Sequence, residues 1–221
     1  MPLMILKRKD IQMIKGIDVS RWQGNIDFNK VKASGINFVI VKAGGSDAGF
    51  YTDSKFKTNV QNAIAAGLHV GAYYFVGPLC NSAEAGALDA YKFHQIIKDY
   101  PLDYPVYIDF EAPKGTNKQG NTDACYAFCE YMEYVGYYAG IYASDVSGFK
   151  DRLIPEQLVR FDKWVAKYST YEPKVIPKWG IWQYSSKGNV PGINGHVDMN
   201  WSRNDYAAII KQKHLNGFKG G

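Results

Sequence analysis

Short apolar runs recur along this 221-residue chain with helical segments between many of them, and that alternation limits the folds open to it more than any other feature. Eight segments rich in β-branched and aromatic residues read as strands: Lys15 to Ser20, Asn37 to Ala43, His69 to Val76, Pro105 to Glu111, Tyr138 to Ala143, Lys163 to Tyr168, Gly180 to Tyr184 and Gly195 to Asn200. Several are almost continuously hydrophobic, which suits parallel strands covered on both faces. Between the early strands the pattern predicts helices over Phe28 to Ala33, Ser54 to Ala66, Ser82 to Tyr100 and Thr122 to Val135. Gly35, Gly67 and Gly136 stand just past three of their ends. Beyond about residue 165 the spacing shortens, and Pro173, Pro177, Gly188, Pro191 and Gly192 mark loops, so the last strands connect without full helices. A closing helix is expected near Ser202 to Lys213. The pattern predicts an α/β fold, a modified (β/α) barrel with an irregular second half, and a doubly wound open sheet is the alternative.

With 46% hydrophobic and 21% charged residues the chain can bury a substantial core as one unit. Residues 1–14 read as an N-terminal extension, 15–212 as the barrel and 213–221 as a flexible tail. The formal net charge of +5 favours approach to an anionic polymer, but the basic residues are too dispersed for a nucleic-acid partner. Cys80, Cys125 and Cys129 form no disulfide framework and have no metal-ligand spacing, so folding in a reducing compartment is expected. No apolar run approaches the roughly 20 residues that span a bilayer. The basic residues of Met1-Pro-Leu-Met-Ile-Leu-Lys-Arg-Lys follow its short apolar stretch instead of preceding it, so no signal peptide is recognised. A monomer without metal or cofactor is the expectation.

The acidic residues fall where a barrel does its chemistry, at strand ends. Asp109 and Glu111 close the fourth strand in Val106-Tyr-Ile-Asp-Phe-Glu, and their spacing of two puts both on one face. Asp18 lies near the end of the first strand and Asp198 on the eighth, and these two strands are neighbours where a barrel closes. Four carboxylates would then converge on one mouth. Crowded acids cannot all ionise freely, and one that keeps its proton near neutral pH is what glycosidic bond cleavage requires. The cluster lacks an Asp-rich calcium loop or a His ligand pair, and a metal site is not expected. His69, His94, His196 and His214 show no nucleophile or metal pattern.

Three ordered stretches resemble the family 25 glycoside hydrolases, lysozymes of the Chalaropsis type found in bacteria, fungi and phage endolysins. They are Lys15-Gly-Ile-Asp-Val-Ser-Arg-Trp-Gln-Gly, Val106-Tyr-Ile-Asp-Phe-Glu, and Ile181-Trp-Gln-Tyr-Ser-Ser followed by Val190-Pro-Gly-Ile-Asn-Gly-His-Val-Asp-Met-Asn. The resemblance covers about residues 15–212. It implies a modified barrel of eight strands and about five helices, and an N-acetylmuramidase that cuts the β-1,4 bond between N-acetylmuramic acid and N-acetylglucosamine in bacterial peptidoglycan. By position Glu111 matches the family's catalytic acid, and Asp18, Asp109 and Asp198 the acids around it. The glycines of Ala43-Gly-Gly-Ser-Asp-Ala-Gly depart from the Glu-containing version of this loop in many relatives. Without a leader, action at the bacterial wall implies release by a phage or another delivery device.

On this reading Glu111 carries the proton donated to the leaving oxygen, and Asp109 stays ionised, stabilising positive charge or orienting the substrate's 2-acetamido group as an internal nucleophile. Asp18 and Asp198 bind substrate and tune Glu111. Tyr73, Phe75, Tyr107, Tyr142, Trp182 and Tyr184 are the candidates for stacking on sugar rings, with Trp182 and Tyr184 favoured by their place in a matching motif. Trp22 packs under the first loop in an alternative reading of that segment, and Lys42 is either a surface lysine or a partner for anions at the mouth. Two other functions remain open at this point. One is a glycan-binding protein without catalysis, and the other a chitinase-like hydrolase, whose fuller Asp-x-x-Asp-x-Asp-x-Glu signature is missing from Asp103-Tyr-Pro-Val-Tyr-Ile-Asp-Phe-Glu.

Overall fold

A computed structural model describes residues 13–112 and 117–218, so most of the expected N-terminal extension and the end of the tail lie outside the described residues. The strands are β1 (Ile14–Val19), β2 (Phe38–Gly45), β3 (Tyr51–Thr52), β4 (His69–Phe75), β5 (Val106–Asp109), β6 (Ala139–Ser144), β7 (Asp162–Ala166), β8 (Ile181–Gly188) and β9 (Val197–Ser202). Neighbours pair in the order β1-β9-β8-β7-β6-β5-β4-β2, and β1 also pairs with β2, which closes the ring. That closure excludes the doubly wound open sheet. β3 is a short ribbon on the end of β2, inside a stretch where the sequence pattern predicts only loop.

Seven strands of the wall run parallel, and β9 runs antiparallel to both β8 and β1. The helices are α1 (Phe28–Ala33), α2 (Phe56–Ala65), α3 (Ala83–Ile97), α4 (Lys118–Tyr134) and α5 (Tyr206–Gln212). Only one-turn helices, Asp145–Lys150 and Pro155–Leu158, join β6 to β7, and no helix lies between β7 and β9. The connection over residues 167–180 is interrupted by Pro173 and Pro177, and that over residues 189–196 by Pro191, Gly192 and Gly195, all of which disfavour a helix.

Side-chain oxygens of Asp27, Ser82, Asn117 and Asp205 accept from backbone N–H groups that the first turns of α1, α3, α4 and α5 leave free. At the far end of α2 the chain reverses through Gly67, whose φ of 76° disfavours a side chain. The apolar face of each helix then covers the outward side chains of the strands. Val31, Val60, Phe93, Phe128 and Met132 pack in one layer with Val39, Val41, Ile108, Ile141 and Val165. Among the described residues no helix is long and apolar enough to cross a membrane.

A second cluster fills the barrel itself: Phe38, Ile40, Tyr104, Tyr107, Tyr142, Trp164, Ile181, Tyr206 and Ile210. Tyr206 and Ile210 come from α5, which plugs the pole where the parallel strands begin. Trp164 stands at the centre, with ring centroids 4.4 Å from Tyr142, 5.3 Å from Tyr107 and 5.8 Å from Tyr73. Phe38 stacks on Tyr104 at 4.6 Å directly over Gly16 of β1, where a Cβ would come within 2.3 Å of the Phe38 ring. Because that ring is fully buried it cannot swing aside. Gly16→Ala is therefore expected to destabilise the protein by about 1–3 kcal/mol through overpacking. Urea unfolding with an unchanged slope and a lower midpoint is the expected reading, and an unchanged midpoint contradicts this packing.

Candidate active site

The interior faces of the strands change character toward the opposite pole, from aromatic to acidic. Asp18 follows Gly16 on the inward face of β1, Asp109 follows Tyr107 on β5, and Glu111 continues the alternation just after β5 ends. Asp198 stands at the beginning of β9 yet faces Asp18 directly across the sheet, because β9 is reversed. Thus all four sequence-predicted acids meet at one mouth. They form two pairs, Asp18 with Asp198 and Asp109 with Glu111, each within reach of a shared proton.

Burial is the first cause that raises each of the four above the ordinary carboxylate range. The charge of Asp198 pushes Asp18 up further, and hydrogen bonds from Asn200 and Gln183 oppose it. Asp109 is raised next by Glu111 and lowered by Lys42. For Glu111 the hydrogen bond with Asp109 opposes burial, Asp198 raises, and Lys42 and Arg152 lower. Arg152 also donates from Nη1 to the Glu111 carbonyl oxygen at 2.6 Å. The sequence reading puts the resting proton on Glu111. Both partners of the Asp109–Glu111 pair are raised, Asp109 at 4% exposure and Glu111 at the rim, so the two carboxyls hold a proton between them.

Beneath the acids lies an amide network that the sequence reading missed. Gln183 Nε2 donates to Asp18 Oδ2 at 2.9 Å and to Asp198 Oδ2 at 3.2 Å, while its Oε1 accepts from the hydroxyls of Tyr142 (2.9 Å) and Tyr168 (3.1 Å). Asn200 Nδ2 donates to Asp18 Oδ2 at 2.7 Å, and Asn200 Oδ1 accepts from the Trp164 indole at 2.8 Å. The signal was present in the spacing of two: Gln183 follows Ile181, and Asn200 follows Asp198, on the inward face. Asp109 Oδ1, by contrast, is buried without a hydrogen-bond partner among the described residues. An orphaned acceptor at the mouth is a place for a donor on a ligand.

The aromatic candidates divide. Tyr73 and Phe75 face the mouth; the hydroxyl of Tyr73 is raised by burial and then by the charges of all four acids, and Lys42 Nζ lies 4.4 Å above the Phe75 ring. Tyr142 lines a cavity of about 460 Å³ beside Glu111, together with Ser144, Ser147 and Tyr168. Tyr107 does not reach the mouth. It is fully buried in the barrel, its hydroxyl donating to Asp162 at 2.7 Å, so it has no surface to offer a sugar. Nor do Trp182 and Tyr184, which flank the inward Gln183 and so point outward. Trp182 is buried in the outer layer with its indole N–H on Lys167 O, and Tyr184 stacks on Trp201. Tyr168, just beyond β7 and 58% exposed, is the aromatic that the sequence reading overlooked. Trp22 packs under nothing, being 77% exposed after the end of β1. Lys42, with its ammonium between the acids and Phe75, belongs to the mouth and is not a surface lysine.

A parallel barrel with paired carboxyls over its C-terminal mouth defines the class of a glycoside hydrolase. The model of the glycosyl hydrolases family 25 matches residues 17–193, and the chain belongs to this family. It is 31% identical to the autolytic lysozyme of Clostridium acetobutylicum over 84% of this chain and 55% of that one. Identity to lysozyme M1 of Streptomyces globisporus is 30%, over 91% of this chain and 71% of that one. The chain therefore spans little more than half of the first of these relatives. The crystal structure of the Streptomyces coelicolor lysozyme superposes with a TM-score of 0.76 at 26% identity, covering 93% of this chain and 98% of the other.

A carboxyl raised by folding binds its proton more tightly in the folded than in the unfolded chain. Its penalty is fully present above the folded pKa and vanishes as pH falls toward the unfolded value. Asp18→Asn removes one such penalty while keeping the shape. The expected result is a gain of about 1 kcal/mol in unfolding free energy near pH 7 that shrinks to nothing as pH approaches the ordinary aspartate value of 3.8. Denaturant titrations at several pH values measure it, and a lower midpoint at pH 7 contradicts the burial described here.

Proposed function

We propose that this chain is a muramidase, hydrolysing the β-1,4 bond between N-acetylmuramic acid and N-acetylglucosamine in bacterial peptidoglycan with Glu111 as general acid and base. The observation that carries the reading is the pairing of Glu111 with a buried Asp109 whose Oδ1 lacks a donor. The relatives' printed names, both lysozymes, support the substrate class.

In the resting site the Asp109–Glu111 pair shares a proton. When the acetamido N–H of the muramic sugar reaches Asp109, it stabilises that carboxylate in its charged form, and the proton passes to Glu111. Glu111 then protonates the glycosidic oxygen as the acetamido oxygen attacks the anomeric carbon. The C1–O bond breaks, the N-acetylglucosamine end leaves as an alcohol, and a cyclic oxazolinium forms on the sugar. Asp109 faces its positive charge. Glu111, now a carboxylate, removes a proton from water, whose oxygen attacks C1 from the side the leaving group occupied. The ring opens, the acetamide is restored, and configuration is retained. Asp18 and Asp198, braced by Gln183 and Asn200, keep a second proton-sharing pair beside the reacting sugar and hydrogen-bond its hydroxyls. Tyr73, Phe75, Tyr142 and Tyr168 wall the sugar path. The protein acts as a monomer at the bacterial wall, without metal or cofactor.

Glu111→Gln is expected to keep the fold and lower turnover of purified wall by at least about a thousandfold, since both the acid and base steps lose their proton carrier. Mass analysis of the digest reads the cleaved bond: new reducing ends on N-acetylmuramic acid are expected. Reducing ends on N-acetylglucosamine, or equal cleavage of chitin oligomers, overturn the proposal, and binding without products assigns the barrel to glycan recognition alone.

A further inference from the structure

The rim of the mouth is unlike on its two sides. On the β6–β7 side the cavity beside Glu111 is lined by Ser144, Ser147, Tyr168 and the Asp145–Lys167 ion pair, so its cation is matched by an acid. On the β1–β2–β4 side, cations and rings alternate. Lys42 Nζ lies 4.4 Å from the centre of the Phe75 ring and 5.8 Å from that of Tyr51. The Arg21 guanidinium lies 5.8 Å from the same Tyr51 ring and 5.1 Å from that of Trp22. Phe75, Lys42, Tyr51, Arg21 and Trp22 thus form one ladder from the acids to the exposed end of the rim.

Among the described residues, neither the Lys42 ammonium nor the Arg21 guanidinium has an acid within ion-pair distance. Lys42 faces Asp109 and Glu111, whose charged forms it favours, and the acids nearest the outer rungs are already engaged. Asp47 Oδ1 accepts from the Tyr51 hydroxyl at 2.9 Å, and the buried Asp53 accepts from the backbone N–H groups of Arg21 and Lys55. Rings hold a cation in place without neutralising it, so the Arg21 charge at the exposed end of the ladder remains available to an anion. The β3 ribbon is what sets Tyr51 between the two cations, pairing it with Gly45 of β2.

We propose that this ladder is an anion-reading rim that binds the carboxylates of the peptide stems carried by the glycan strand. A strand of N-acetylglucosamine alone is neutral and gives the Arg21 cation nothing to bind. Stem peptides are joined to muramic sugars, so their carboxylates lie close to the bond being cut. The rim makes binding to the wall depend on free stem carboxylates. This inference rests on the muramidase reading of the same mouth.

Co-sedimentation separates the two. Wild-type protein and Arg21→Gln, which alters an exposed side chain, are each bound to purified wall, to wall whose carboxyl groups have been amidated, and to wall stripped of phosphodiester polymers. Arg21→Gln is expected to weaken binding to intact and to phosphate-stripped wall about two- to fivefold, as loss of an exposed ion pair does. The gap between wild type and variant closes on amidated wall and shrinks with added salt. An equal gap on intact and amidated wall overturns the proposal, and a gap lost only on stripped wall assigns the rim to phosphate. In parallel digests, KM on intact wall rises by the same factor. Absence of muramic reducing ends from every wall would defeat the muramidase reading, while the sedimentation arms still decide whether the rim reads carboxylates.

Discussion

Everything at the mouth depends on keeping four carboxyl groups close together above an apolar core, which no surface arrangement would do to their proton affinities. Trp164 supplies the physical link. Its ring forms the floor between Tyr73, Tyr107 and Tyr142, and its indole N–H fixes Asn200, which in turn holds Asp18. Packing and electrostatics are therefore coupled through one side chain. A floor that is close-packed admits no water to relax the charges above it, and the acids respond by retaining protons.

The reversal of β9 is the second constraint. In a fully parallel barrel, the start of the last strand lies at the pole away from the chemistry, and Asp198 would sit some five residues' rise from Asp18. Running antiparallel to both neighbours, β9 brings its first residues to the mouth and sets Asp198 opposite Asp18. The loop over residues 189–196 from β8 makes this possible, because antiparallel neighbours need no crossover helix. The irregular second half is thus part of how the site is assembled.

Around the acids, hydrogen-bonding capacity is spent unevenly. Oδ2 of Asp18 accepts from two amides, while Oδ1 of Asp109 is buried without a partner among the described residues, so one carboxyl pair is braced and the other is not. The same contrast separates the two sides of the rim, one with its lysine in an ion pair and the other with Arg21 held only by rings.

Much of this was legible before any coordinates. The strand and helix pattern pointed to a barrel and left a doubly wound sheet open, which the pairing of β1 with β2 excluded. The spacing of two within Asp109-Phe110-Glu111 determined that these acids share a face, and ordered motifs pointed to all four. Strand parity also carried what the reading left unused: Gln183 and Asn200 lie two residues from inward positions, and the same parity turns Trp182 and Tyr184 outward. Only the tertiary structure decided the direction of β9, the depth that buries Tyr107 against Asp162, and the loops that bring Tyr168, Arg21 and Tyr51 to the mouth. Local sequence encodes which face a side chain takes, but height within a barrel and contact between loops arise from pairing between distant segments, and proton placement follows from the burial that such pairing creates.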